Sequence, residues 1–334
     1  MQPGVNPDLI VYFGGRYVLL AEARVGILTH ALNYGTGVFE GIRAHWDEKS
    51  NELYVFRALE HYERWKQNCG ILRIDVGPSA EELCSITVEL MRRNRFKTDL
   101  YVRPLAYKAA ERIGVCPDDE DAFFIAALPF GEYLHSDNGL HAGVSSWRRV
   151  EDAAIPVRAK ICGAYANSAL ATDDARRAGY DEAILLNEAG QVTEGATCNL
   201  FMVRNGVLIT PPVCDNVLEG ITRSTILELA HNQLGMPVVE RSIDRSELYI
   251  ADELFLSGTA VGLAPVVRVD HRNVKQGAIG AWTRLLQNLY SDVVRGRIAE
   301  FRRWVLPVYG TLQNVTKDAK AAADAHKLEH TSVA

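Results

Sequence analysis

The chain of 334 residues contains no CxxC pair; its six cysteines, Cys69, Cys84, Cys116, Cys162, Cys198 and Cys214, stand singly. That scatter argues against a zinc ribbon or a disulfide-framed scaffold and predicts reduced thiols in a reducing, cytoplasmic setting. A basic excess is missing too. With a formal net charge of −6, the chain offers no electrostatic footprint for nucleic acid, so Arg92-Arg93-Asn94-Arg95 and Arg148-Arg149 read as solvated surface. The longest apolar run, residues 122–130, is too short to cross a bilayer, and no basic, apolar, small-residue leader opens the sequence. Neither a membrane protein nor a secreted one is expected. Gly35-Thr36-Gly37-Val38-Phe39-Glu40 lacks the third glycine of a dinucleotide loop, which disfavours a dehydrogenase. His326 and His330, the histidines at helical spacing, fall in the tail, and no metal site is expected.

What is present fits an ordinary globular protein: 48% hydrophobic and 23% charged residues leave no case for disorder or a fibrous repeat. The length suits two domains. Residues 1–130 read as a small α+β domain. It opens with a hairpin over 9–20 that turns at Gly14-Gly15. Strands follow at 37–46 and 52–56, helices at 57–70 and 79–96, and further strands at 100–109 and 122–128. Residues 131–139 are polar and turn-rich and read as the interdomain connection. The larger domain, 140–310, is dominated by strands with hairpin turns at 187–190 and 204–206. Its helices are expected at 165–178, 222–234 and 279–297. The Ala- and Lys-rich tail, 311–334, reads as a surface helix or a mobile segment.

Six runs recur in order. They are Ala31-Leu32-Asn33-Tyr34-Gly35-Thr36-Gly37-Val38-Phe39-Glu40-Gly41-Ile42-Arg43, then Tyr101-Val102-Arg103-Pro104, then Lys160-Ile161-Cys162-Gly163-Ala164-Tyr165. Thr193-Glu194-Gly195-Ala196-Thr197-Cys198-Asn199, Leu218-Glu219-Gly220-Ile221-Thr222-Arg223 and Ser257-Gly258-Thr259-Ala260 complete the set. A lysine and a carboxylate on a rigid frame are what pyridoxal 5'-phosphate needs: the amine for a Schiff base, the acid to keep the pyridine nitrogen protonated. A helix amino terminus after Gly220 suits a phosphate, because its backbone N–H groups face outward along the helix dipole.

Together these motifs resemble a branched-chain amino-acid aminotransferase of the fold-type IV pyridoxal phosphate enzymes, over roughly residues 8–300. The resemblance implies an α+β protein of two domains, the larger with a β-barrel-like core flanked by helices. It implies transamination of leucine, isoleucine and valine with 2-oxoglutarate. Lys160 would carry the cofactor and move the proton between the substrate α-carbon and cofactor C4'. Tyr165 would bond the cofactor phenolate oxygen and Glu194 the pyridine nitrogen, with Leu218 on the ring face. Arg57, Gly220, Ile221, Thr222 and Thr259 would hold the phosphate. Phe39 and Phe130 would wall an apolar substrate pocket, with Tyr34, Tyr101 and Arg103 placed for a carboxylate and Thr259-Ala260 for the α-carboxylate. Small amino acids and 2-oxo acids are the partners implied, with a homodimer or larger assembly.

Two departures bear on substrate range, including side activity on primary amines: Gly262 stands where relatives often carry glutamate, and Cys198 where they often carry an acid. The same fold also serves D-amino-acid aminotransferases, (R)-amine transaminases and aminodeoxychorismate lyases; a protein that binds the cofactor without catalysis is a further reading. The runs at Tyr101 and Phe39 match the branched-chain pattern better.

Overall fold

The computed structural model describes residues 6–131 and 138–310. Most of the connection expected at 131–139, and the tail with His326 and His330, lie outside the described residues. The chain divides into two compact units, one holding the residues up to Gly131 and those from Asp292 onward, the other the residues between, up to Ser291.

The first unit runs β1 (Ile10–Phe13), β2 (Arg16–Leu19), α1 (His30–Tyr34), β3 (Gly37–Phe39), β4 (Ile42–Asp47), β5 (Glu52–Phe56), α2 (Ala58–Ile71), α3 (Ala80–Asn94), β6 (Leu100–Lys108) and β7 (Asp121–Pro129). Its antiparallel sheet has the order Val305–Pro307, β5, β4, β6, β7, β1, β2, with β3 added on β6. The helices follow from local chemistry. Ser79 and Glu82 form a reciprocal capping box at the start of α3, which satisfies two orphan donors of its first turn. On α2, Tyr62 and Trp65 are fully buried, and the Trp65 indole donates to the Val38 carbonyl at 2.9 Å. That bond fixes α2 on the sheet.

Two expectations for this unit need correction. The strand at 37–46 is broken at Glu40-Gly41, where a Cβ on residue 41 would lie 2.1 Å from the Tyr101 hydroxyl; glycine is needed for the ring to pass. Residues 292–310, expected in the larger domain, belong here, because Val305–Pro307 pairs with Tyr54–Phe56 and extends the sheet.

The second unit contains β8 (Leu140–Arg148), α4 (Tyr165–Arg177), β9 (Glu182–Leu186), β10 (Val192–Gly195), β11 (Asn199–Arg204), β12 (Val207–Thr210), α5 (Ile221–Glu228), β13 (Val238–Glu240), β14 (Glu253–Gly258), β15 (Gly262–Val269) and β16 (Arg272–Asn273). Helix α6 (Ala281–Val294) follows in the chain. The strand order β10, β9, β8, β15, β14, β11 returns to β10 through the Glu194–Asn199 pair, closing a six-stranded barrel. Within it β8 runs parallel to both β9 and β15. Leu200, Leu256 and Ala264 lie side by side in register and join Leu140, Ile184 and Val192 in one apolar core. Their neighbours in sequence necessarily face the other way. Phe201 and Phe255 stack there, ring centroids 5.0 Å apart.

The helix expected at 222–234 is α5 only as far as Glu228; a π-helical turn, Leu229–Gln233, then carries the chain to Gly235. Among the described residues no helix is long and apolar enough to cross a membrane, and no group of three His, Cys, Asp or Glu could hold a metal ion.

Candidate active site

In the second unit, Lys160, Tyr165, Glu194 and Leu218 line one pocket with Arg149, Val150, Val157, Ala159, Ala164, Ser168, Ala196 and Thr197. Lys160 sits at the centre of a tight turn closed by Ile161 N and Ala159 O at 2.7 Å. A 3-10 turn, Cys162–Ala164, then leads into α4. This path brings the Lys160 amine back to donate to the Tyr165 hydroxyl at 3.0 Å.

Glu194 is 4% exposed, a position where an ionised carboxylate needs partners. Arg149 lies 2.8 Å from one of its oxygens. The other accepts from Asn199 Nδ2 at 3.0 Å and from the Leu218 backbone N–H at 3.3 Å. Burial pushes the Glu194 carboxyl above the usual carboxylate range, while Arg149, the Leu218 N–H, Lys160 and Arg223 pull it down. Lys160 and Glu194 therefore share a pocket and an electrostatic field.

Register explains the rest of this face. Asn199 pairs with Glu194 on one side and Ser257 on the other, so three polar side chains form a row across β10, β11 and β14. The Ser257 hydroxyl is fully buried and has no hydrogen-bond partner among the described residues. Gly220 precedes α5, and no side chain caps that helix end. Thr259 and Ala260 occupy the turn between β14 and β15, and the adjoining Gly258 lies against Cys198.

The first unit gathers Phe39, Tyr101, Arg103 and Phe130. The Arg103 guanidinium lies 4.4 Å from the Phe39 ring centroid, its Nη2 donates to the Tyr101 hydroxyl at 3.1 Å, and the Tyr101 and Phe130 rings are 5.1 Å apart. The buried Arg103 Nε has no hydrogen-bond partner among the described residues. Arg43 reinforces the group, donating to the Phe130 carbonyl at 3.2 Å with its guanidinium 5.1 Å from that ring.

Two expected members make their contacts elsewhere. The Tyr34 hydroxyl accepts from Gly114 N at 3.0 Å, and its ring packs near His30. Arg57, expected to hold a phosphate, has Glu60 on its Nε at 2.9 Å and stands over the Trp304 ring. Sequence reading also missed Arg149, assigned to solvated surface. Its side chain is 11% exposed. No local pattern marked it: Arg149 follows β8, whose last residues Ser146, Trp147 and Arg148 are all exposed.

The family model for class IV aminotransferases matches residues 37–269. The probable branched-chain-amino-acid aminotransferase of Aquifex aeolicus is 46% identical over 299 residues, covering 89% of this chain and 96% of that protein. The branched-chain-amino-acid aminotransferase of Escherichia coli (strain K12) is 39% identical, covering 88% and 96%. Among solved structures, the branched-chain aminotransferase of Thermoproteus uzoniensis with norvaline superposes with a TM-score of 0.86 at 45% identity, covering 90% of this chain and 99% of that one. The pyridoxal-phosphate form of the Thermobaculum terrenum enzyme gives 0.87 at 38% identity, covering 92% and 99%.

The fold and the motif order thus define a fold-type IV transferase. The chain belongs to the class IV aminotransferase family.

Proposed function

We propose that the chain transfers the amino group of branched-chain L-amino acids to 2-oxoglutarate, using pyridoxal 5'-phosphate and releasing the branched-chain 2-oxo acid and L-glutamate. The observation that carries this reading is the shared pocket of Lys160, Tyr165 and Glu194 in a chain so similar along its length to enzymes of that name. The donor set suits the cofactor. An amine, a phenol and a buried carboxylate stand around one space, and the uncapped start of α5 offers N–H groups to an anion. When bound, pyridoxal phosphate supplies an aldehyde and a ring that withdraws electrons from the substrate α-carbon.

The chain's own groups do the rest. Lys160 is the covalent anchor and the base that moves the α-carbon proton. Tyr165 holds the lysine amine in place through the 3.0 Å bond. Glu194 would hold the ring nitrogen and Leu218 would pack on the ring, both lining the pocket with Lys160. Gly220, Ile221, Thr222 and Thr259 take the phosphate. Recognition of the substrate side chain is assigned to Phe39, Tyr101, Arg103 and Phe130, and that of its α-carboxylate to the Thr259-Ala260 turn. An arginine among aromatic rings, with one N–H lacking a partner among the described residues, suits a site that takes leucine in one half-reaction and a carboxylate in the other.

A homodimer belongs to the same reading. Ile27, Leu32, Ile113 and Val115 are 82%, 64%, 69% and 79% exposed. They lie on two segments tied by the Thr29–Glu111 bridge and by His30 N to Ala110 O. Apolar surface of this kind favours burial against a second copy. The cysteines are all free thiols among the described residues, which suits a reducing cytoplasm.

The test is a substrate panel with purified, cofactor-loaded protein and 2-oxoglutarate. Glutamate formation with L-leucine, L-isoleucine or L-valine and none with D-alanine is expected. Turnover of D-alanine alone would overturn the proposal.

A further inference from the structure

Arg149 has no role in the reading above, yet it is placed where it must matter. A carboxylate offers about four acceptor sites, and three donors already reach Glu194: Arg149 on one oxygen, Asn199 and the Leu218 N–H on the other. Arg149 is itself held, its Nε donating to Asn216 O at 3.3 Å and its backbone N to Leu186 O at 2.9 Å. Asn199 reaches further. Its Nδ2 also donates to Leu218 O at 2.9 Å, and its Oδ1 lies where a Cβ on residue 220 would come within 2.1 Å. One amide side chain therefore contacts the buried acid, the Leu218 backbone and the glycine before α5.

We infer that Arg149 and Asn199 are positioning residues for the cofactor: Arg149 pairs with the Glu194 carboxylate and shares its charge, and Asn199 locks that carboxylate to the segment leading into α5. The inference rests on the cofactor reading proposed above. Its physical content is a division of labour. A lone anion beside a bound ring nitrogen would bind the ring proton strongly; a guanidinium on the same carboxylate weakens that hold and adds positive charge to the site. The groups facing Glu194 are Arg149 from the end of β8, Lys160 from its turn, Arg223 from α5 and Cys198 from the β10–β11 turn. Arg149 makes a direct ion pair with it at 2.8 Å. Removing this cation favours the protonated form of any acid nearby, including that of the bound chromophore.

The experiment uses the pyridoxal-phosphate-loaded protein and reads the pH midpoint of its visible absorption. R149M and R149Q are expected to raise that midpoint by about one pH unit, while R149K, which keeps the charge, stays near the unsubstituted value. N199L removes the lock without touching a charge, so it should weaken cofactor retention by about tenfold at an unchanged midpoint. Midpoints that coincide in R149M, R149Q, R149K and the unsubstituted protein would overturn the role of Arg149, and retention in N199L equal to that of the unsubstituted protein would overturn that of Asn199. Should neither Arg149 variant fold, a midpoint displaced in R149K as far as about one unit decides against the charge role. An unsubstituted protein with no visible band overturns the cofactor reading itself, and this inference with it.

Discussion

Arg103 and Tyr101 stand two residues apart on β6 and therefore on one face of the strand, where the Arg103 guanidinium donates to the Tyr101 hydroxyl at 3.1 Å. The tyrosine offers a neutral partner, and the Phe39 and Tyr101 rings offer π faces at 4.4 and 5.1 Å. The cation can thus rest in an apolar setting until a carboxylate arrives.

Arg103→Met keeps much of the apolar stem and deletes the charge. The kcat/KM for 2-oxoglutarate should fall by about tenfold or more, as loss of a charge-assisted hydrogen bond implies. That for L-leucine should fall much less. Steady-state kinetics of both half-reactions decide; equal losses contradict the assignment.

Tyr165→Phe removes the hydroxyl that accepts from Lys160. A drop in kcat of about tenfold is expected, with substrate KM little changed, because the contact orients the reacting amine and not the substrate side chain. A variant with unchanged kcat would deny Tyr165 this role.

Acid stability should depend on Asp99. Burial works against its charge, but the His45 bond, the Trp46 N–H and Arg295 prevail and hold the carboxyl down to about 2. A depressed carboxylate stabilises the fold above its unfolded pKa, and that contribution is lost as pH falls from there through the folded value. Asp99→Asn should therefore cost about 2 kcal/mol near neutral pH and flatten the loss of stability below about pH 4. Denaturant unfolding at a series of pH values measures both effects.

The barrel should be sensitive at Phe255, fully buried and stacked on Phe201. Phe255→Ala is expected to cost about 3–5 kcal/mol and to lower the thermal midpoint by roughly ten degrees. Scanning calorimetry reads this, and a midpoint within about two degrees of the unsubstituted protein would count against the packing described.

Local rules carried the reading where the determining chemistry is local. Ser79 and Glu82 announce the start of α3, Gly14-Gly15 the first hairpin, and Gly179 the end of α4. Closure of the barrel was not visible in this way. It depends on Glu194 finding Asn199 and on β8 lying between β9 and β15, pairings set by the whole ring rather than by any window of sequence. The same holds for Val305–Pro307, whose place on β5 is set by an open sheet edge some 250 residues earlier. Within the pocket, Lys160, Tyr165, Glu194 and Leu218 were legible as motifs. Arg149 was not, because a pair of arginines reads as surface until the path of the chain past β8 is known to bring the second one onto Glu194.

The central claim is that Lys160 carries the cofactor, and covalent trapping tests it most directly. Purified protein loaded with pyridoxal phosphate is reduced with borohydride, digested and analysed by mass spectrometry. A phosphopyridoxyl group on Lys160, and none in Lys160→Ala, is the expected result; the group on another lysine, or its persistence in the variant, would contradict the account.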